Sequence, residues 1–227
     1  SDLTVGLTFD LLGRGDQSFN DSAAAGIDRA VADFGITVNE VTPTDASARG
    51  TDLQLQAENA QLVVGVGFSF ATDAATVAAE NPDVLFAIID DAMMNFDTGQ
   101  PVAPNAAGLV FSEEQGSYLV GVAAALKSKS GKVGFIGGVR TDGIGKFEAG
   151  FTAGVKATNP DATIEVKYAT EPPDFSGFND PAKGKAIAKA MYDAGIDVIY
   201  HAAGGTGAGL FTAAKESGKA PGDIWAI

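Results

Sequence analysis

The sequence predicts an α/β protein made of two doubly wound lobes, each built on a mainly parallel sheet. Short β-branched runs alternate with longer alanine-rich stretches of helical period, which is the pattern of parallel strands joined by crossover helices. Hydrophobic residues make up 45% of the 227 residues and charged residues 19%, so a sizeable core can form. Residues 93–105 contain Pro and Gly and have no period. We place the boundary there or just after it, with lobes of residues 1–105 and 106–227.

The alternation assigns every part of the chain outside that segment to a strand, a helix or a short loop. The predicted strands are residues 3–9, 36–42, 62–66, 84–89, 107–111, 132–136, 163–168 and 198–201. The predicted helices are residues 21–34, 51–59, 73–80, 113–127, 147–158, 182–194 and 208–217. Gly35 and Gly195 each end a helix, as helix C-termini often require. A further strand begins near Ile224, so we expect the natural protein to continue beyond Ile227.

Composition excludes several classes of function. Fifteen basic and 29 acidic residues give a formal net charge of −14, which repels a phosphate backbone and argues against nucleic-acid binding. The chain has no cysteine and one histidine, so disulfides, thiolate chemistry and multi-histidine metal sites are excluded. No apolar run approaches the roughly 20 residues that cross a bilayer. The start is strand-like, so we expect any signal peptide to have been removed already.

Three glycine-rich segments follow predicted strands, where ligand sites of α/β proteins form. Residues 10–20 fit the dinucleotide fingerprint poorly, because a serine takes the place of its third glycine and the loop is too long. Residues 137–147 fail as a phosphate loop, because Arg140 and Phe147 stand where glycine and serine or threonine are needed. Residues 204–209 either bring a backbone close to a ligand or simply let a helix pack on a strand.

No catalytic constellation is visible in the sequence. His201 has no identifiable serine or cysteine partner, which favours a structural or ligand-edge role over that of a general base. Asp90 and Asp91 are adjacent, and neighbouring strand residues point to opposite faces, so the two carboxylates are not expected to share a site. We therefore predict no catalytic residue, no metal, no cofactor and no enzymatic activity.

Two phenylalanines stand in polar segments without a period that would bury them. Phe19 follows Asp16 and Ser18, and Phe178 lies in the run DFSGFNDPAKGK. Each is either tucked onto the core or exposed to a ligand. If one comes from each lobe, they can sandwich a flat ring with centroids about 7 Å apart. Stacking of a base on an aromatic side chain contributes about 1–3 kcal/mol.

Seven segments spread along the chain resemble one known family. They are DQSFND (16–21), VVGVGF (63–68), GSYLVGVAAA (116–125), KVGFIGG (132–138), FEAGFTAGVKATNP (147–160), NDPAKGKAIA (179–188) and AAGGTGAGLF (202–211). Together they resemble the basic membrane protein family, which comprises solute-binding lipoproteins of ABC importers similar to purine nucleoside receptors. The resemblance implies a type I periplasmic-binding fold, in which two α/β lobes close on a ligand without covalent chemistry.

The resemblance also implies a set of ligand-binding residues. The family holds the base between two phenylalanines, uses strand-end carboxylates for ribose hydroxyls and the base edge, and lines the cleft with a GGTG loop. The residues of this chain at those positions, with the asparagine of the SFN motif, are Asp10, Phe19, Asn20, Asp90, Phe178, Gly204 and Gly205. A further aspartate and a lysine that contact the sugar in the family are expected beyond Ile227.

The function implied by the resemblance is that of an extracytoplasmic receptor, periplasmic or at the cell surface. It would deliver a nucleoside, in the first place a purine nucleoside, to the membrane subunits of an ABC importer. An N-terminal lipid anchor outside this chain would hold the receptor at the membrane. Carboxylates suit a vicinal diol, and in a chain of net charge −14 they favour a nucleoside over a nucleotide. Two alternatives remain: a receptor of the same fold for a sugar or another small polar ligand, and an enzyme that uses a nucleotide.

Overall fold

The computed structural model describes residues 2–227, which form two compact α/β units. One unit ends at Phe111 and the other spans Ser112–Ile227. Among these residues, no helix combines the length and the apolar character needed to cross a bilayer.

The first unit is built on a five-stranded parallel sheet. Its strands are β1 (Thr4–Thr8), β2 (Thr37–Val41), β3 (Leu62–Gly65), β4 (Leu85–Ile89), β5 (Met94–Asn95), β6 (Gln100–Pro101) and β7 (Ala106–Leu109), and its helices are α1 (Phe19–Phe34), α2 (Arg49–Ala57) and α3 (Ala71–Glu80). The sheet order is β2-β1-β3-β4-β7, while β5 and β6 form a separate antiparallel pair. The chain runs from β1 to β2 on one side and then to β3 on the other. The topological switch point therefore lies between β1 and β3.

The second unit repeats this topology with four strands. Its elements are α4 (Glu113–Lys127), β8 (Lys132–Val139), α5 (Asp142–Thr158), β9 (Thr163–Thr170), α6 (Pro181–Asp193), β10 (Val198–Ala202), α7 (Ala208–Glu216) and β11 (Trp225–Ala226). The order is β11-β10-β8-β9, and all three strand pairs are parallel. The switch point of this sheet lies between β8 and β10.

The predicted α/β fold is confirmed. Five of the seven predicted helices begin one to five residues earlier than predicted, and capping explains two of these shifts. The first begins at Phe19 rather than at residue 21, because the Asp16 carboxylate accepts hydrogen bonds from main-chain N–H groups of its first turn. The fifth begins at Asp142 rather than at residue 147, and Thr141 caps it through a hydrogen bond from the Ile144 N–H. Glycines cost helical stability, but capping and packing outweigh that cost here.

The segment of residues 93–105 is not the boundary between the units. It contains the β5–β6 pair, and the strand that follows, β7, pairs with β4 of the first sheet. The first unit consequently ends at Phe111, six residues after the predicted boundary at residue 105. Sequence spacing marked the irregular segment correctly but could not show that it lies within the lobe.

Close contacts between glycine and main chain bring α4 and α5 together. A Cβ at Gly154 would overlap the carbonyl oxygen of Tyr118, and one at Gly150 would overlap the carbonyl oxygen of Glu114. Two helices can approach this closely only where one of them has no side chain. The glycines of the FEAGFTAGVKATNP segment are therefore packing residues.

A buried carboxylate organises the turn before β8. Asp197 is 8% exposed and accepts hydrogen bonds from the Ser128 hydroxyl (2.6 Å) and from the N–H groups of Lys129 (2.7 Å) and Ser130 (2.8 Å). Burial opposes the charge, but these hydrogen bonds outweigh it and hold the pKa of Asp197 below its usual value. The ionised carboxylate therefore stabilises the folded unit.

Replacing Asp197 with Ala is expected to destabilise the second unit by about 2 kcal/mol, because buried donors lose their acceptor. Asp197→Asn keeps acceptor capacity and is expected to cost less. The stability that the carboxylate contributes is present above the ordinary aspartate pKa of about 3.9 and is lost as the pH falls through the lowered folded-state value. Urea unfolding followed by the fluorescence of the single tryptophan, Trp225, measures both effects.

Asp193→Ala is the matched control, since this aspartate is exposed and pairs with Lys189 one helical turn away on the surface. It is expected to change the free energy of unfolding by less than about 0.5 kcal/mol. Equal losses for Asp193→Ala and Asp197→Ala would contradict the stabilising role of the buried carboxylate.

Candidate ligand site

At the switch point of the first sheet, three predicted site residues lie together. Asp10 follows β1, and its N–H donates to the Asn20 Oδ1 (3.0 Å) at the start of α1. The Asn20 Nδ2 donates to the Asp16 Oδ2 (3.0 Å). Asn20 is 3% exposed, so its amide holds the loop in place and is hidden from a ligand. Of these three residues, Asp10 and Phe19 are partly exposed.

Phe19 lies in the first turn of α1 and not in a loop as predicted. Its ring packs partly buried against the cluster of Leu7, Phe9 and Val66. Its Cε1 would lie 3.4 Å from a Cβ at Gly67, the second residue after β3. Gly67 has φ 116°, a conformation that glycine adopts without strain. The ring thus rests on main chain at the β1/β3 switch point, with part of its surface exposed.

Asp10 also pairs with a cation that sequence analysis did not single out. The Arg49 NH2 donates to the Asp10 Oδ1 at 3.0 Å, and the Arg49 side chain is 13% exposed. The guanidinium carbon lies 5.6 Å from the centroid of the buried Phe70 ring. One feature of the sequence could have drawn attention to this residue: Arg49 is the only Lys or Arg between Arg29 and Lys127.

Asp90 stands just after β4, which is separated from β1 by β3. It is exposed and has φ 65°, and its N–H donates to the Leu109 carbonyl oxygen at 2.9 Å. The neighbouring Asp91 accepts a hydrogen bond from the Met93 N–H at 2.7 Å and so closes its own turn. The two carboxylates have different environments.

At the switch point of the second sheet, Phe178 rests on glycine main chain as Phe19 does. It ends a short 3-10 helix, Phe175–Phe178, and is partly exposed. A Cβ at Gly138 in β8 would clash with the Phe178 ring, and one at Gly204 after β10 would lie 3.2 Å from the Phe178 carbonyl oxygen. The residues Phe178 and Gly204 are therefore brought together between the ends of β8 and β10.

The GGTG segment, Gly204–Gly207, forms a 3-10 helix that packs into its own unit. Gly205 is buried, and the Thr206 hydroxyl accepts a hydrogen bond from the Asp180 N–H (2.7 Å) at the start of α6. A Cβ at Gly207 would overlap the His201 ring. Most of this segment is packing, which leaves Gly204 as its partly exposed member.

His201 packs edge-on against Phe211, with ring centroids 5.5 Å apart. Burial lowers its pKa, so the ring is uncharged at neutral pH. Within residues 2–227, no group of three or more acidic or histidine side chains is placed to hold a metal ion. Each switch point presents an aromatic face, and the first adds a paired carboxylate, an arrangement that can stack a flat ring and accept hydrogen bonds.

Comparison with known proteins identifies the family. The Bmp family, described as ABC transporter substrate-binding protein PnrA-like, matches residues 4–227. The chain belongs to the Bmp family.

Individual Bmp relatives are similar over nearly the whole chain. The CD4+ T-cell-stimulating antigen of Listeria monocytogenes is 40% identical over 96% of this chain and 59% of its own length. The ABC transporter nucleoside-binding protein BmpA of Lactococcus lactis is 34% identical over 100% of this chain and 63% of its own length. The chain thus spans about 60% of the length of these curated relatives.

A solved structure agrees with the Bmp assignment. The ABC transporter solute-binding protein of Aeropyrum pernix K1 has a TM-score of 0.86 and 30% identity, covering 99% of this chain and 61% of the other. The predicted resemblance to the basic membrane proteins and the predicted fold class are both confirmed. The fold is that of type I periplasmic solute-binding proteins.

Proposed function

We propose that the complete protein is an extracytoplasmic solute-binding protein that delivers a nucleoside to the membrane subunits of an ABC importer. A purine nucleoside is the first candidate ligand. A lipid at its N-terminus would hold it at the membrane. Phe19 and Phe178 stack on the base, Asp10 and Asp90 accept hydrogen bonds from the ligand, and Gly204 lines the site. Asn20 and Gly205, both buried, support the neighbouring contact residues. No catalytic residue is proposed.

One observation carries this proposal: each unit has a phenylalanine ring lying on glycine main chain at the switch point of its sheet. Ligands of open α/β sheets bind at such points. The glycine lets each ring lie close to main chain, and both phenylalanines remain partly exposed. A phenylalanine ring of this kind in each unit suits a planar heterocycle as ligand. The name of the Lactococcus relative, a nucleoside-binding protein, agrees with this ligand class.

The charge of the first unit supports a nucleoside over a nucleotide. This unit carries three Lys and Arg against 16 Asp and Glu, a formal net charge of −13. A phosphate would be repelled by that excess, whereas a neutral sugar with hydroxyl donors is compatible with acidic acceptors.

Isothermal calorimetry on the complete protein tests the proposal. Adenosine, guanosine and inosine are the ligands, while uridine, ribose, adenine and adenosine monophosphate are the comparisons. We expect a nucleoside to bind at least tenfold more tightly than ribose or the monophosphate. Binding of ribose but of no nucleoside would favour the sugar-receptor alternative. Chemical conversion of a nucleoside during incubation with the protein, detected by chromatography, would favour an enzyme. No heat with any nucleoside would refute the ligand class.

Phe19→Ala is expected to weaken nucleoside binding by about 1–3 kcal/mol, because one stacking face is lost. Phe34→Ala is the matched control: Phe34 ends the same helix and its side chain is 70% exposed. The control is expected to bind as the wild type does. Calorimetry with the tightest nucleoside measures both variants, and equal affinity of Phe19→Ala and wild type would remove Phe19 from the site.

A further inference from the structure

Arg49 is a nearly buried cation beside the proposed ligand site. Its side chain is 13% exposed, and its Nε is buried without a hydrogen-bond acceptor among the residues that the structure describes. Taking a guanidinium out of water costs several kcal/mol unless a counter-charge compensates for it. Asp10 supplies that charge through the 3.0 Å bond to its Oδ1, and the Phe70 ring adds a cation–π contact.

Asp10 is held from two directions. Its main-chain N–H donates to the buried Asn20 side chain, which fixes the backbone. Its Oδ1 accepts from Arg49, which fixes the carboxylate. Both a ligand hydroxyl and the guanidinium would donate to an ionised oxygen, but only the guanidinium adds the attraction of a full opposite charge, so a neutral hydroxyl does not displace it from Oδ1.

Within the described part of the first unit, neither of the other two basic residues is available for this role. Arg14 pairs with Asp28 and Glu40, and Arg29 pairs with Asp33 on the surface. These two and Arg49 are the three basic residues of the first unit. The one arginine that reaches Asp10 is thus a specific feature of an otherwise strongly acidic unit.

We infer that Arg49 is a positioning residue for ligand specificity: it occupies Oδ1 of Asp10 and leaves Oδ2 as the oxygen that accepts a hydrogen bond from the ligand. This inference rests on the proposed function. Asp10 then recognises one hydroxyl of the sugar and not both hydroxyls of a diol. The pairing also compensates the carboxylate charge, so Asp10 is not left as an isolated anion when a ligand excludes water.

A double-mutant cycle on the complete protein tests the inference. The variants are Asp10→Asn, Arg49→Gln, their combination, and the surface control Arg29→Gln. The ligands are the nucleoside that the wild type binds most tightly and its 2′-deoxy and 3′-deoxy analogues. We expect the wild type to lose about tenfold or more in affinity for one deoxy analogue only. Arg49→Gln should shrink that preference to within about threefold, and Arg29→Gln should leave it unchanged.

In the Asp10→Asn background, Arg49→Gln is expected to cause no further loss of affinity, because both act through the same carboxylate. Arg49→Lys keeps the positive charge and is expected to retain part of the preference between the two deoxy analogues. If circular dichroism shows that Arg49→Gln does not fold, Arg49→Lys is used for the test instead. Additive losses, or a preference unchanged in both Arg49 variants, would overturn the positioning role alone. A wild type that binds no nucleoside would overturn the proposed function as well.

Discussion

Gly154→Ala is expected to destabilise the second unit by about 3 kcal/mol or more. The added methyl would overlap the carbonyl oxygen of Tyr118, a main-chain atom of α4 that cannot turn away as a side chain can. Relief requires α4 and α5 to move apart, and Phe151 and Val155, both fully buried on α5, would then lose contacts. The fluorescence of Trp225 reports unfolding of this unit during a urea titration.

Gly145→Ala is the matched control, because Gly145 lies in the same helix and a Cβ there would meet nothing within 4 Å. The control is expected to stabilise the unit by about 0.5–1 kcal/mol through the higher helix propensity of alanine. Opposite signs for the two substitutions would show that packing against α4, not propensity, decides the effect. If Gly154→Ala also stabilised the unit, the close approach of the helices would be wrong.

Gly138→Ala is expected to weaken nucleoside binding by about 3 kcal/mol, or roughly 100-fold, the upper end of the range for one stacking face. The new methyl would take the place of the Phe178 ring on β8, so the ring must leave its seat. Because Gly138 is a buried strand residue, some stability is also lost. Calorimetry measures the affinity, and Trp225 fluorescence in urea measures the stability.

Combining Gly138→Ala with Phe178→Ala separates the two effects. Without the phenylalanine ring, the main close contact left to a methyl at position 138 is the Gly177 carbonyl oxygen at 3.2 Å. Stability is therefore expected to recover in part relative to Gly138→Ala, while binding does not recover. Gly145→Ala again serves as the control and is expected to bind normally. Normal binding by the Gly138→Ala single variant would mean that Phe178 does not contact the ligand.

Periodicity predicted the α/β organisation because strands and helices differ in the spacing of their apolar residues. It failed where local capping decided the outcome. The Asp16 carboxylate extends α1 to include Phe19, and Thr141 starts α5 amid glycines that resemble a loop. The β7 strand belongs to the first sheet through its pairing with β4, a contact between distant residues that spacing alone does not encode.

The candidate site was predictable in part. Polar segments without a period singled out Phe19 and Phe178, and the resemblance to the family added Asp10. The structure places all three near switch points, where ligands of α/β sheets bind. Burial of Asn20 and the pairing of Arg49 with Asp10 depend on three-dimensional contacts across ten and 39 residues of sequence. No local pattern marks such contacts. The isolation of Arg49 among acidic residues singles it out in the sequence, but its partner Asp10 and the burial of Asn20 are visible only in the structure.

The close contact between Gly138 and the Phe178 ring limits how the proposed binding surface can evolve. Main-chain atoms set the height of the ring, and every other amino acid carries a Cβ that would enter the same space. Natural variation at position 138 therefore cannot add a side chain without displacing the Phe178 ring. If this surface binds the ligand, new ligand preferences in descendants of this protein would have to arise from exposed residues around Phe178, while the glycine at position 138 is retained.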